Sequence, residues 1–128
     1  MIHLKRVYEP VSKQDGKRLL VERLWPRGVK KVNAHIDAWP KNIAPSPELR
    51  KWFAHDPAKW KTFRQRYFAE LDANPGVWEP ILDAAESHRV TLIFSSHDVE
   101  HNNAVALKQY LEHKASAHHV PAGRSKAA

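Results

Sequence analysis

The sequence predicts an α/β fold: a single domain with a small, mostly parallel sheet of about three strands and helices packed on it. The chain has 128 residues, the usual size of one domain. Strand-like segments lie towards both ends of the chain, and three helical segments separate them. The last strand-like segment, residues 89–94, is a continuous apolar run, which is typical of a strand covered on both faces.

The first two strands are expected near the start of the chain. Residues 2–8 alternate loosely between apolar and basic side chains, and residues 18–25 have an apolar middle. The Gln-Asp-Gly triplet at residues 14–16 favours a turn between them. The second strand is expected to end at the Trp-Pro-Arg-Gly sequence of residues 25–28, because Pro and Gly both favour turns.

Helices are expected to fill most of the middle of the chain. Residues 29–45 indicate only a short helix or turn. Ser46 and Asp56 each precede a Pro, which is a typical helix start. The apolar side chains of residues 60–71 follow a helical period, and residues 77–88 predict the next helix.

The third strand is expected to lead directly into a last, long helix that reaches about His113. The remaining residues, 114–128, are small and polar and contain Pro and Gly. We therefore expect residues 1–113 to form the domain and residues 114–128 to be a flexible tail.

The charge of the chain is uneven. The formal net charge is +7, and residues 1–64 carry 15 Lys and Arg against 6 Asp and Glu. This favours an anionic partner, either a small phosphate-bearing molecule or nucleic acid. No cysteine is present, which excludes disulfides and thiolate chemistry. No apolar run is long enough for a membrane span and no signal peptide is recognisable, so we expect no membrane partner and a cytoplasmic location.

Two groups of polar residues follow the second and third strands. Arg23, Arg27 and Gly28 flank a Trp-Pro turn, where two guanidinium groups could hold an anion and Gly28 could let it approach the main chain. The alternative is structural: Arg23 could pair with Glu22 or Asp37. If the two strands are parallel, the residues after the third strand should lie on the same edge of the sheet.

The second group lies in residues 95–102. Asp98, Glu100 and His101 could supply a general acid or base, with Asn102 beside them. Alternatively, Asp98 only caps the following helix. His97, Glu100 and His101 also match a short zinc-binding pattern, but it would span a strand end rather than lie on one helix, so no metal is expected.

A third group is formed by His55 and Asp56, between two predicted helices, with Arg50 preceding them. Asp56 is well placed as a helix cap, and His55 would be favoured at a helix C-terminus, so a purely structural role is the alternative here. The five tryptophans are expected to be mostly core residues, although stacking on nucleobases is an alternative.

Taken together, three motifs resemble the domain-of-unknown-function family 488 (DUF488), in its short YeaO-like branch. They are E-R-L-W-P-R-G at residues 22–28, a segment from Ala44 to Pro57 that contains L-R-K-W-F-A-H-D-P, and D-V-E-H-N-N-A at residues 98–104. The resemblance covers about residues 3–113. It implies a small bacterial α/β protein with no established activity. Its recurrent polar positions are Arg23, Arg27, Gly28, Arg50, His55, Asp56, Glu100, His101 and Asn102.

These observations lead to a functional hypothesis. We expect a cleft lined by Arg23, Arg27, Arg50, His55 and His101 that binds a small anionic or phosphate-containing ligand, including nucleotides. His101, with Glu100 or Asp98, is the candidate acid or base, and no cofactor is expected. The alternatives are a nucleic-acid-binding module that uses the basic N-terminal half, and a non-catalytic scaffold that binds a protein partner. Whether the protein is an enzyme, and its oligomeric state, stay open at this stage.

Overall fold

Three parallel strands form the sheet, in the order β1-β3-β2. The structure is a computed structural model, and it describes residues 2–119. The strands are β1 (Ile2–Arg6), β2 (Lys17–Leu20) and β3 (Val90–Phe94). Both β1 and β2 pair with the central β3 in parallel register. The predicted α/β fold with a small parallel sheet is therefore confirmed.

Two strands are shorter than the sequence predicts. β1 ends at Arg6 instead of residue 8, and β2 ends at Leu20 instead of residue 25. The N–H of Val21 still donates to the carbonyl of Ile93, at 3.2 Å. Beyond this point β3 itself ends, so the following residues of the chain have no strand to pair with and turn away from the sheet.

Five α-helices accompany the sheet within the described residues: α1 (Lys31–Ala34), α2 (Pro47–Phe53), α3 (Trp60–Asp72), α4 (Pro75–Ser87) and α5 (Asn103–His119). Ser46 caps α2 by accepting a hydrogen bond from the N–H of Leu49. Asp56 caps a short 3-10 helix, Pro57–Lys59, which leads into α3. The predicted starts at Ser46 and Asp56 therefore hold, although α3 proper begins one turn later.

The last helix begins later than predicted. Asp98 does not cap α5; its carboxylate accepts hydrogen bonds from the N–H groups of Glu100 and His101 and closes a separate turn. The side chain of Asn102 accepts from the N–H of Val105 at the real start of the helix. α5 then runs to His119, past the predicted limit of the domain at residue 113. The rest of the predicted tail, residues 120–128, lies outside the described residues.

The sheet has a different covering on each face. The larger core lies on the side of α2–α5, where Leu92 and Leu19 of the sheet pack with Phe63 and Leu107. On the other face, Leu20 and Ile93 pack under Trp25 and Trp39, whose rings meet edge to face. No helix among the described residues is both long and apolar enough to cross a membrane.

A buried ion-pair network lies at the start of β2. The Asp15 carboxylate is 2.6 Å from Arg18 and 2.8 Å from Lys5. Burial alone would raise the pKa of Asp15, but hydrogen bonds from Lys5, the Ser12 N–H and Arg18 outweigh this and lower it. The network holds the connection between β1 and β2 against the sheet.

Candidate functional site: an arginine-lined cavity

A cavity of about 310 Å³ lies at the carboxyl ends of β2 and β3. Four parts of the chain line it: residues 22–27 after β2, the region of α2 from Ala44 to His55, Phe63 of α3, and the residues that flank the turn after β3. Because β2 and β3 are parallel neighbours, the segments that follow them leave the sheet at the same edge. This is the edge at which the sequence places its candidate site.

Arg23 is held at one wall of the cavity by the main chain. One terminal nitrogen, Nη2, donates to the carbonyls of Ala44 and Pro45, each at 3.3 Å. Its Nε is buried and has no hydrogen-bond partner among the described residues. The structural alternative, pairing with Glu22 or Asp37, is not observed: the Asp37 carboxylate accepts from the N–H of Arg18 instead.

Arg27 and Arg50 also line the cavity. Both residues are exposed, and within residues 2–119 neither guanidinium makes a hydrogen bond or an ion pair. The main-chain carbonyl of Arg27 accepts a bond from the Tyr8 hydroxyl at 2.9 Å, which fixes the turn that carries the side chain. Several guanidinium donors therefore remain available around one cavity.

Gly28 ends this turn but does not line the cavity. Its φ of 76° lies in the left-handed region that Gly adopts without strain. A Cβ placed there would meet nothing within 4 Å. The turn therefore needs Gly28 for its backbone conformation, and the structure gives no close approach at this residue.

Glu22 also lines the cavity, whereas the sequence suggested only that it could pair with Arg23. Its two carboxylate oxygens accept from the N–H and the hydroxyl of Ser95, both at 2.7 Å. These bonds connect the segment after β2 to the segment after β3. The only sequence signal for Glu22 is its position at the start of the E-R-L-W-P-R-G motif.

His55 lines the cavity at the end of α2. Ala54 and His55 both have positive φ, 48° and 57°, a backbone conformation that costs energy for residues other than Gly. These two residues end α2 and lead to the 3-10 helix at Pro57–Lys59. Asp56, by contrast, accepts a bond from the N–H of Ala58 and acts as the cap that the sequence offered as its structural role.

Two Asn residues lie where the turn after β3 enters α5. Asn102 is almost fully buried and uses its side chain for structure: it donates to the carbonyl of Asp98 and accepts from Val105. Asn103 donates to the carbonyl of Val21 at 2.7 Å. Both line the cavity. Asn103 was not predicted as a site residue, and only its place beside Asn102 in the D-V-E-H-N-N-A motif pointed to it.

The predicted acid–base group lies apart from the residues that line the cavity. His101 Nδ1 is 3.0 Å from Asp98 Oδ2, and the imidazole meets the Trp60 ring edge to face. The N–H of Glu100 and then the N–H and imidazole of His101 hold the pKa of Asp98 below its ordinary value. Glu100 is exposed in the same turn. The structure therefore gathers Arg23, Arg27, Arg50, His55 and Asn102 around the cavity, and leaves Asp98, Glu100 and His101 in a neighbouring turn.

Within residues 2–119 there is no group of three or more His, Asp or Glu side chains that could hold a metal ion. The cavity instead combines free guanidinium donors, one carboxylate and an apolar wall that includes Trp25, Phe53 and Phe63. Such a surface is suited to binding a small molecule that has a charged end and an apolar body.

The fold and cavity define a small parallel α/β protein with an arginine-lined cleft at the carboxyl edge of its sheet. Residues 1–128 match the family described as "Inactive DUF488-N3 subclade". The chain therefore belongs to the DUF488 family, which confirms the resemblance inferred from the motifs.

Two relatives illustrate this membership. "Uncharacterized protein YeaO" of Escherichia coli (strain K12) is 42% identical over 110 residues, which cover 86% of this chain and 96% of that protein. "Uncharacterized protein Rv3073c" of Mycobacterium tuberculosis (strain ATCC 25618 / H37Rv) is 34% identical over 110 residues, or 86% of this chain and 92% of that protein. No solved structure shows significant similarity to the chain.

Proposed function

We propose that the protein is a non-catalytic receptor for a small anionic or phosphate-containing ligand, which it binds in the arginine-lined cavity. The observation that carries this proposal is the set of unused guanidinium donors. Arg23 lines the cavity, and its buried Nε has no partner among the described residues. Because that atom has almost no exposed surface, an oxyanion in the cavity would bind the exposed guanidinium groups of Arg27 and Arg50. Arg27 and Arg50 face the same space.

The apolar wall supports an organic ligand. Trp25, Phe53 and Phe63 line the cavity together with the charged groups. A volume of about 310 Å³ is at the lower end of the usual range for ligand pockets, about 300–1,000 Å³. Sugar phosphates and mononucleotides belong to the class of ligand that combines a phosphate with a compact body.

Two observations favour binding over catalysis. The Asp98–His101 pair, the best acid–base candidate, is not among the residues that line the cavity. The description of the matching family contains the word "inactive", which agrees with a binding role. In this proposal the Asp98–His101 pair serves to hold the turn between β3 and α5.

A second candidate is binding of nucleic acid by the basic N-terminal half. It is favoured by basic residues of this half that lie over tryptophan rings: Lys41 Nζ lies 4.2 Å from the centre of the Trp39 ring, and Lys31 Nζ lies 5.8 Å from that of Trp25. Positively charged surfaces that also carry aromatic side chains are typical of proteins that bind single strands. This candidate differs from the first in its dependence on salt.

The test is a thermal-shift screen with inorganic phosphate, sugar phosphates, mononucleotides and short DNA and RNA. At 100 times its Kd a ligand adds about 2.7 kcal/mol, which corresponds to several degrees in Tm. We expect a shift with one small phosphate compound, lost in Arg27→Ala and Arg50→Ala. Lys61→Ala is the matched control, since it removes one exposed positive charge outside the cavity.

The variants should fold, because neither guanidinium supports the structure through a side-chain bond among residues 2–119. Unfolding of Arg27→Ala would show instead that the arginine is structural. Shifts with oligonucleotides alone, fading as salt is raised, would favour the nucleic-acid candidate. The absence of any shift would contradict both candidates and leave the scaffold alternative.

A further inference from the structure

The cavity carries fixed charges of both signs that do not neutralise each other. Glu22 lines it together with Arg23, Arg27 and Arg50. The ion pairs within the described part of the chain join none of the three arginines to Glu22. Arg23 is turned to main-chain carbonyls, and Glu22 is turned to Ser95. Since both charges are held by neutral partners, each remains available to a ligand.

Glu22 can still accept hydrogen bonds from a ligand. Each carboxylate oxygen takes one bond from Ser95, and a carboxylate oxygen has about two acceptor sites. One acceptor position per oxygen is therefore left. The Ser95 N–H and hydroxyl also fix the direction of the carboxylate, so its position does not depend on the ligand.

Asn103 offers a second acceptor to the same cavity. Its side-chain amide is 2.7 Å from the carbonyl of Val21, and a carbonyl can only accept. The atom that faces Val21 must therefore be the nitrogen. The amide oxygen is left over and accepts no hydrogen bond from residues 2–119. Asn103 and Glu22 thus supply acceptors, and the arginines supply donors.

A ligand with only negative charge fits this arrangement poorly. Its anionic group would bind the guanidinium groups, but Glu22 would repel it, and the unused acceptors would lose water without gaining a donor. A ligand that also carries an ammonium group, or another N–H donor, would satisfy both sides through charge-assisted hydrogen bonds.

We propose that the ligand is zwitterionic or amine-bearing: a phosphate or carboxylate bound by the arginines, joined by a short linker to an ammonium or N–H donor bound by Glu22. This inference rests on the proposed function, and it names the class of anion. Under it, Glu22 is a specificity-determining residue that selects amine-bearing anions over plain ones.

The test compares phosphoethanolamine with propyl phosphate, which has a methyl group in place of the ammonium group. Affinities are measured by isothermal titration calorimetry on the full chain. We expect phosphoethanolamine to bind at least tenfold more tightly than propyl phosphate. In Glu22→Gln the preference should fall below threefold, because phosphoethanolamine binds more weakly and propyl phosphate binds more tightly.

Glu86→Gln is the matched control: it makes the same change on an exposed residue of α4, and the preference should remain. The Gln amide can still accept from the Ser95 N–H and donate to its hydroxyl, which favours a folded variant. The wild-type comparison needs no variant and is therefore informative even if Glu22→Gln does not fold.

The outcomes separate the inference from the proposed function. If propyl phosphate binds as tightly as phosphoethanolamine, and Arg27→Ala abolishes both, the cavity binds anions but the inference is wrong. A preference that survives in Glu22→Gln would also overturn the inference. If neither compound binds, the inference is wrong, and the proposed function fails with it only if the wider thermal-shift screen also gives no shift.

Discussion

Replacing Asp15 by Asn should destabilise the protein strongly, because Asp15 is the only carboxylate in the ion pairs that hold Lys5 and Arg18 within residues 2–119. The side chain of Asp15 is 8% exposed and that of Arg18 is 3% exposed. Asn is nearly the same shape, so the variant removes the negative charge and leaves the packing almost unchanged. Arg18 would then be a buried cation without a counter-ion.

The size of the effect follows from burial. Breaking a buried ion pair by removing one partner costs about 3–5 kcal/mol. Lys5 is 17% exposed and can turn towards water, and the amide oxygen of the substituted side chain would still accept from the Ser12 N–H. We therefore expect the lower end, about 3 kcal/mol in the free energy of unfolding. For a domain of this size that is a fall in Tm of roughly 10 °C.

The effect should depend on pH in a defined direction. The pKa of Asp15 is lowered from the ordinary 3.8, so the unfolded chain takes up this proton before the folded one. The stabilisation is therefore complete above pH 4 and is lost as the pH falls through the folded pKa. The difference between wild type and Asp15→Asn should be constant from pH 7 to pH 5 and should shrink below pH 4.

Urea unfolding, followed by the fluorescence of the five tryptophans, measures the loss in free energy of unfolding and its dependence on pH. Asp83→Asn, on an exposed residue of α4, is the control and should change stability by less than about 0.5 kcal/mol. A loss below 1 kcal/mol for Asp15→Asn at pH 7, or a difference that does not shrink in acid, would refute the reasoning.

Two further substitutions test the packing around the sheet. Gly16→Ala should lower the free energy of unfolding by about 3 kcal/mol or more, because φ is +65° and a Cβ would lie 2.1 Å from the main-chain oxygen of Arg89. Gly76→Ala is the control: a Cβ has open space at this residue of α4, so the variant should be neutral or stabilising in the same urea assay. Tyr67→Phe should lower the free energy of unfolding by about 1–3 kcal/mol, because the buried carbonyl of Ile43 loses the hydroxyl that donates to it at 2.5 Å. Thermal unfolding would show the fall in Tm, and an unchanged Tm would contradict a stabilising role for this hydrogen bond.

Local sequence signals predicted the elements that depend on local chemistry. The run at residues 89–94 predicted a buried strand, and every residue of Val90–Phe94 is buried. Ser46 and Asp56 predicted their caps because a cap needs only a side chain and an N–H two or three residues away. The ends of β2 and the start of α5 could not be predicted in this way. β2 ends where its neighbour ends, and α5 starts where Asn102, not Asp98, is free to cap it.

The same distinction applies to the candidate site. Arg23 and Arg27 could be predicted from their position beside a turn at a strand end, and Arg50 from its place in the family motif; all three line one cavity. Glu22 and Asn103 could not, because what brings them there is a contact between distant parts of the chain: Glu22 bonds Ser95, and Asn103 bonds Val21. A pattern along the chain gives no sign of such contacts.

The most direct test of the cavity as an anion site is the NMR signal of the Arg23 Nε–H group. Arginine side chains are labelled with ¹⁵N, the Arg23 signal is assigned with Arg23→Lys, and phosphoethanolamine and inorganic phosphate are titrated. Arg64 is an internal control, since its Nε is also buried without a partner in residues 2–119 but does not line the cavity. We predict that the Arg23 signal shifts and saturates while that of Arg64 stays in place. Equal shifts of both signals, or no shift of the Arg23 signal at saturating ligand, would contradict binding in this cavity.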